Sequence, residues 1–317
     1  MRRSAAKPED RQPRGAIDDK LARVSSEALA VPRPGDWLEL TKPRITLLVT
    51  LTTAAGFALA SERPLDWPRF VATLVGTALV AAGSAAWNQF VERETDKLMR
   101  RTATRPLPGG RMVAVQALAF GGLLSVSGLL VLWLLVNPLT AAIGLATLLA
   151  YVLVYTPMKR RSSLATLIGA IPGAAPPVMG WTGASGALDL GGWLLFAILF
   201  LWQLPHFLSI AWLYRDDYRR AGMPLLTVND PDGRATGQQA VLYALALVPV
   251  SLMTSAVGIT GAVHLAGALV FGCAFLASAV LFARQQTVTT ARRLLLTSVF
   301  YLPAVFGVAV VDHLFLR

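Results

Sequence analysis

The chain has 317 residues, 55% of them in the hydrophobic class and 15% charged, with a mean hydropathy of +0.55. Such a composition excludes an ordinary soluble domain and marks an integral membrane protein. The formal net charge of +11 then belongs to a surface facing anionic headgroups, and no nucleic-acid partner is read from it.

Residues 1–40 mix Arg with Glu9, Asp10, Asp18, Asp19, Glu27, Asp36 and Glu39 and lack an apolar core. They read as a flexible cytoplasmic tail, not a signal peptide, and the acids disfavour a mitochondrial presequence, leaving a bacterial inner (plasma) membrane. The remainder, 41–317, reads as one all-α, polytopic domain. Runs long and apolar enough to cross the bilayer fall near 45–61, 68–91, 113–135, 138–157, 164–183, 190–213, 239–258, 261–283 and 294–313, nine predicted spans. With the N-terminus inside, the segments 1–44, 92–112, 158–163, 214–238 and 284–293 hold 26 of the 29 basic residues, which fixes the orientation. Cys273, mid-span among small and apolar residues, reads as buried and carries no disulfide or zinc framework.

Two inner loops are long. One opens ERETDKLMRRTATRPLPGGR and the other RDDYRRAGMPLLTVNDPDGR, acids before bases in each, and they stand four spans apart. The chain therefore reads as two four-helix halves plus one extra helix, an arrangement that puts a site between the halves. Between the loops, GAIPGAAPPVMGW at 169–181 sets three prolines and three glycines inside a span. It is either a kinked helix packed through small residues or the wall of a substrate chamber.

On a helix continued from the second span, Asn88, Glu92 and Asp96 recur at i, i+4, i+8 and share a face. Hard oxygen donors at the membrane edge suit Mg²⁺, which takes one or two carboxylates plus substrate phosphate oxygens. The forked side chains of Arg100, Arg101, Arg105 and Arg111 suit phosphate. Acids for a metal beside bases for an anion suggest a diphosphate site; a solvated loop with balanced charges is the plainer alternative. The sixth span carries WQLPHFLSIAWLYRDDYRR, which on one helix would align His206 with Asp217 and bring Asp216 or Asp217 level with Asp96. A histidine at that depth is a functional candidate, or a structural one bonded to a neighbouring carbonyl. His264 and His313 are read as wetted residues near the outer edge. Lys159, with Tyr155 one turn earlier on the same face, would add positive charge after the fourth span.

NQFVERETDKLMRRTATRPLPGG resembles the first signature of the UbiA-type intramembrane prenyltransferases, an N-x-x-x-D-x-x-x-D pattern followed by R-x-x-x-R-P-L, with Glu92 in place of the middle Asp. That Glu, and the blocks WQLPHF and DYRRAGMP, are similar to the protoheme farnesyltransferase branch, as are TKPRI at 41–45 and YTPMKR at 155–160. The resemblance runs from about residue 36 to the C-terminus. It implies nine transmembrane helices around a central cavity. It also implies Mg²⁺-dependent transfer of farnesyl from farnesyl diphosphate to a vinyl group of heme B, with addition of water to give heme O. Asn88, Glu92 and Asp96 would then form the first metal-diphosphate motif and Arg101 and Arg105 the anion clamp. Asp216 and Asp217 would fall in the second acidic motif, with Asp217 offered as a metal ligand. Lys42, Tyr155, Lys159, His206 and Tyr218 would contact substrates, His206 by binding heme iron or orienting the macrocycle. Implied partners are the bilayer and proteins of heme A synthesis or terminal-oxidase assembly. Two rivals stand beside this reading: a prenyltransferase of the same fold acting on a quinone precursor or other aromatic acceptor, and a transporter of an anionic substrate.

Overall fold

The computed structural model describes residues 31–61 and 64–316, so residues 1–30 of the expected tail lie outside the described residues. The described residues are helices and turns, with no strand among them. Helix α1 (Pro34–Leu40) is short; α2 (Pro43–Ala60), α3 (Trp67–Asp96), α4 (Ala114–Leu135) and α5 (Pro138–Met158) follow. Then come α6 (Ala165–Gly173), α7 (Ala175–Ser185), α8 (Leu190–Leu213), α9 (Arg215–Arg220) and α10 (Leu226–Asn229). The chain closes with α11 (Arg234–Ala256), α12 (Ala262–Gln285) and α13 (Val288–Val311), the last continuing into a wider turn at Asp312–Leu316.

Eight of these helices, α2 to α5, α8 and α11 to α13, are long and apolar enough to cross a membrane. The chain is a multi-pass membrane protein. The ninth predicted span is α6 and α7, helices of 9 and 11 residues meeting at Ala174. Pro172, Pro176 and Pro177 cannot donate to the helical ladder, and the helix breaks among them. Irregular backbone at this depth persists because protein covers it. Residues Ala175 to Gly183 are all buried, and a Cβ at Gly180 or Gly56 would overlap the carbonyls of Thr53 and Pro177 respectively. Of the two readings of 169–181, α7 follows the packed one: α2 and α7 meet backbone to backbone through small residues. The same device joins Gly76 and Gly83 of α3 to Gly128, Gly121 and Ser125 of α4. Outward, Leu123, Val126 and Leu130 on α4 and Leu296, Val299 and Phe300 on α13 stay exposed, an apolar surface for lipid. Cys273 is exposed on α12, not buried as the sequence suggested.

At 30 residues, α3 is about 45 Å long, against roughly 30 Å of hydrocarbon. Its N-terminus is capped by Asp66, which accepts from Arg69 N at 3.1 Å. Its last turns outrun the apolar layer, and the chain can place polar residues there. Helix α1 corrects the tail boundary. Residues 34–40 are helical and packed, with Asp36 and Leu40 buried. Gln89 of α3 donates to Leu40 O at 3.0 Å, and Trp37 packs edge-on against Phe120. At the far end of the bundle the turn between α11 and α12 is tied to the end of α13: His313 faces Ile259 O at 2.7 Å, and Asp312 accepts from Gly261 N. His264 there is buried, ringed by hydroxyls of Thr254, Ser255 and Thr260, rather than wetted.

Replacing Gly56 with Ala pushes a methyl into the Pro177 carbonyl and lowers stability by about 1–3 kcal/mol, as read by equilibrium unfolding in mixed micelles. Gly35→Ala, with nothing within 4 Å of the new carbon, serves as the neutral comparison; equal behaviour of the two would count against the α2–α7 contact.

Candidate active site

The three polar residues of α3 are nearly fully buried: Asn88 is 1%, Glu92 7% and Asp96 0% exposed. Burial of two carboxylates requires compensation, and each polar group receives a cation from a different stretch of chain. Lys42 Nζ donates to Asn88 Oδ1 at 2.6 Å. Lys159 Nζ lies 2.8 Å from Glu92 Oε1. Arg105 Nη1 donates to Asp96 Oδ2 at 2.7 Å. The helical register read from the sequence holds, while the three bases arrive from the turn after α1, the end of α5 and the loop after α3.

Local backbone explains how each arrives. Lys42 sits between α1 and α2 with φ 50° and ψ 62°, a left-handed conformation unusual for a side-chain-bearing residue. Pro43, first residue of α2, cannot be entered from a helical Lys42, and the reversal aims the amine at α3. Helix α5 widens into a π turn over Ala150–Tyr155, a feature that recurs at functional sites. Just after it Thr156 Oγ1 donates back to Tyr151 O at 2.7 Å, and Asn88 Nδ2 donates to that hydroxyl at 3.3 Å. Lys159 Nζ then lies 4.5 Å from the Tyr155 ring centroid, a cation–π contact that confirms the shared face. Gly169 of α6 admits the Tyr155 ring, where a Cβ would collide.

The loop after α3 is held from outside. Arg111 donates to Asp36 Oδ1 at 2.6 Å, to Glu39 Oε2 at 2.8 Å and to Thr104 O at 2.5 Å. It therefore braces the loop against α1 instead of standing free for phosphate. That hydrogen bond holds the Asp36 carboxyl below its ordinary range. Burial, reinforced by Arg105, pushes Lys42 down to about 7. Burial also works against the charge on Lys159, yet the Glu92 carboxylate outweighs it and keeps the amine well above its usual value. Lys159 is thus held as a cation, while burial works against the charge on Lys42.

The second motif meets the first through Arg101. Its Nη2 donates to Tyr218 Oη at 3.2 Å, and its guanidinium lies 5.1 Å from the Tyr214 ring centroid. Met99 packs with Ala211, Ala221, Met223 and Leu225 in one apolar knot beneath. Asp216 and Asp217 turn to their own helix, onto Arg219 and Arg220. Asp216 has 72% of its side chain exposed and Asp217 14%; neither bonds to the acids of α3. The register from His206 to Asp217 is interrupted because α8 ends at Leu213 and α9 starts at Arg215, with Tyr214 at φ −113°, ψ 22° between them. His206 Nδ1 lies 2.8 Å from Ser298 Oγ of α13, away from the carboxylates.

A small cleft is lined by Lys159 and Tyr155, by Thr166 of α6, by Phe207 and Ile210 of α8, and by Tyr218 and Met223. Lys159 is its charged lining residue, the others are apolar, aromatic or hydroxyl-bearing, and the two halves of the chain build it together. Thr156, bonded to Asn88, and Thr166, Phe207 and Met223, in the cleft wall, are residues that sequence reasoning missed; they carry no pattern of their own and are gathered by the fold.

A model of the UbiA prenyltransferase family matches residues 49–305. The chain belongs to that family. Among curated relatives, a protoheme IX farnesyltransferase of Solibacter usitatus is 50% identical over 88% of this chain and 98% of its own length. One of Koribacter versatilis is 44% identical over 91% and 98%, and one of Myxococcus xanthus 43% over 88% and 94%. Among solved structures, a digeranylgeranylglyceryl phosphate synthase aligns with a TM-score of 0.75 at 17% identity, covering 88% of this chain and 98% of its own. A UbiA homologue from Archaeoglobus fulgidus bound to GPP and Mg²⁺ aligns at 0.62 and 15%, covering 86% and 99%. At those identities the structures show the shared fold. Family membership makes the chain a prenyltransferase and sets the transporter reading aside.

Removing Lys159 alone strands Glu92. Lys159→Met is expected to cost roughly 3–5 kcal/mol, and adding Glu92→Gln to recover most of it, because an uncompensated buried charge is the larger penalty. Unfolding of the two single variants and the double variant in detergent measures this; additive losses would contradict the pairing.

Proposed function

We propose that the chain transfers farnesyl from farnesyl diphosphate to a vinyl group of heme B, with water completing a hydroxyethylfarnesyl substituent, so making heme O. The observation that carries the transfer is the buried row of Asn88, Glu92 and Asp96 beside three bases, one of which, Lys159, also lines a largely apolar cleft. An allylic diphosphate has that same division, a polyanionic head and a long apolar tail. The acceptor rests on the names of relatives that match nearly the whole chain. Supply of heme O to terminal oxidases follows from the product.

Asp96 Oδ1 is buried with no hydrogen-bond partner among the described residues, a hard donor. With Asn88 Oδ1 and Glu92 on the same face, it fits Mg²⁺, which completes its shell from substrate phosphate and water and needs no protein cage; no convergence of three or more His, Cys, Asp or Glu is found among the described residues. When bound, Mg²⁺ would supply Lewis-acid charge to the departing diphosphate. Lys42, Lys159 and Arg105 are placed to change partner from the α3 groups to phosphate oxygens, and Arg101 to leave Tyr218 for the same head group. A phosphate beside Lys42 would favour the charged amine against the burial that now disfavours it.

The reaction breaks the allylic carbon–oxygen bond, releasing diphosphate, and joins the farnesyl carbon to the terminal vinyl carbon. Water then captures the cation beside the porphyrin and loses a proton. No strong base is required for the carbon–carbon step. Tyr155, Phe207 and Tyr218 offer aromatic faces along the cleft, which stabilise cationic carbon and keep bulk water from the allylic centre. The excess of basic residues in the loops that carry these bases supports a reading in which the site faces the cytoplasmic side of a bacterial inner membrane.

Purified chain in bilayer discs, given farnesyl diphosphate, Mg²⁺ and either heme B or 4-hydroxybenzoate, should add one farnesyl and one water to heme B alone, by mass spectrometry. Asp96→Asn should lower that turnover at least about 100-fold, the scale of losing a principal transition-state charge contact. Prenylation of 4-hydroxybenzoate in preference to heme, or full activity of Asp96→Asn, would overturn the assignment.

A further inference from the structure

Of the three histidines in the chain, His206 has the simplest surroundings. Its Nδ1 lies 2.8 Å from Ser298 Oγ, and among the described residues none hydrogen-bonds to Nε2. The same serine hydroxyl donates to Leu295 O at 2.6 Å. A carbonyl oxygen accepts only, and a hydroxyl has one proton to give. That proton is committed to Leu295, so Ser298 Oγ turns a lone pair to the ring and Nδ1 must carry the proton between them. Two further contacts hold the arrangement still. Trp202 Nε1 donates to Ser298 O at 2.7 Å, tying the serine backbone to α8, and the Trp202 ring stacks on the imidazole at 4.9 Å and 20°. Ser298 itself is 0% exposed, so water does not compete for the hydroxyl.

We propose that Ser298 is a positioning residue that fixes His206 as its Nδ1–H tautomer and leaves Nε2 as a bare lone pair, a ligand for the iron of a metalloporphyrin. The pattern is that of metal-binding histidines generally, in which one ring nitrogen donates to a fixed acceptor and the other faces the metal. His264 and His313 are unlike it. His264 Nδ1 is shared among three hydroxyls, and both ring nitrogens of His313 face carbonyl oxygens. His206 also adjoins Phe207 and stands one turn from Ile210, both in the wall of the cleft. The iron half of the proposal rests on heme as the acceptor; the tautomer half stands without it.

Solid-state nitrogen NMR of the full-length chain, labelled with ¹⁵N-histidine in bilayers, reads the tautomer directly, with His206→Ala assigning the signal. The expected result is a protonated Nδ1 and an unprotonated Nε2. Ser298→Ala should shift population toward the other tautomer, and Ser298→Thr, which keeps the hydroxyl, should restore the native one. Ferric heme B is then titrated into the same samples and followed by electron paramagnetic resonance. Nitrogen ligation should appear in the wild type and Ser298→Thr and vanish in His206→Ala, with heme affinity of Ser298→Ala about 10–100-fold weaker. A protonated Nε2 in the wild type, or a tautomer indifferent to Ser298→Ala, would overturn the positioning role. Heme bound without nitrogen ligation would overturn the iron ligand alone. A wild type with the expected tautomer that binds no heme would instead remove heme as the acceptor, and the ligand with it.

Discussion

Two carboxylates and an amide buried on the last three turns of one long helix are the constraint on which the rest of this structure depends. Buried carboxylates must be paired, and the bases that pair them come from outside α3. Lys42, Arg105 and Lys159 must therefore be delivered to the same few ångströms from three places in the chain. The left-handed residue before α2, the π turn in α5 and the bracing of the loop by Arg111 are the backbone consequences. Such a set of pairs is costly as a stabilising device, because hydrophobic packing of equal volume generally does as well or better. Its persistence is better explained by an anionic substrate that takes over the bases.

Much of this was legible in the sequence for physical reasons. Hydrocarbon thickness dictates span length, and eight of nine predicted spans are single helices. The helical repeat dictates that Asn88, Glu92 and Asp96 share a face, and positive charge collects at one end. The broken ninth span was announced by Pro172, Pro176 and Pro177, but whether it lined a chamber or packed could not be read from composition; Gly56 and Gly180 settle it by how closely they bring backbones together.

The remainder depends on contacts between residues far apart in the chain. Tyr214 carries no breaking residue type, yet it ends α8 and separates His206 from Asp217. Arg111 looked like one more phosphate fork and is consumed by Asp36 and Glu39, whose place in a packed helix was hidden inside a tail rich in charge. Ser298, ninety-two residues from His206, has no motif around it. Helix register is a local property, and partner choice is not.

The account turns on the three bases trading α3 for a bound diphosphate. A structure of the full chain in bilayer discs with Mg²⁺ and a non-hydrolysable farnesyl diphosphate analogue tests this most directly. The account predicts the head group among Lys42, Arg105 and Lys159, metal density at Asp96, and the tail in the cleft between Tyr155 and Ile210. A head group bound elsewhere, with the Lys159–Glu92 and Arg105–Asp96 pairs intact, would contradict it.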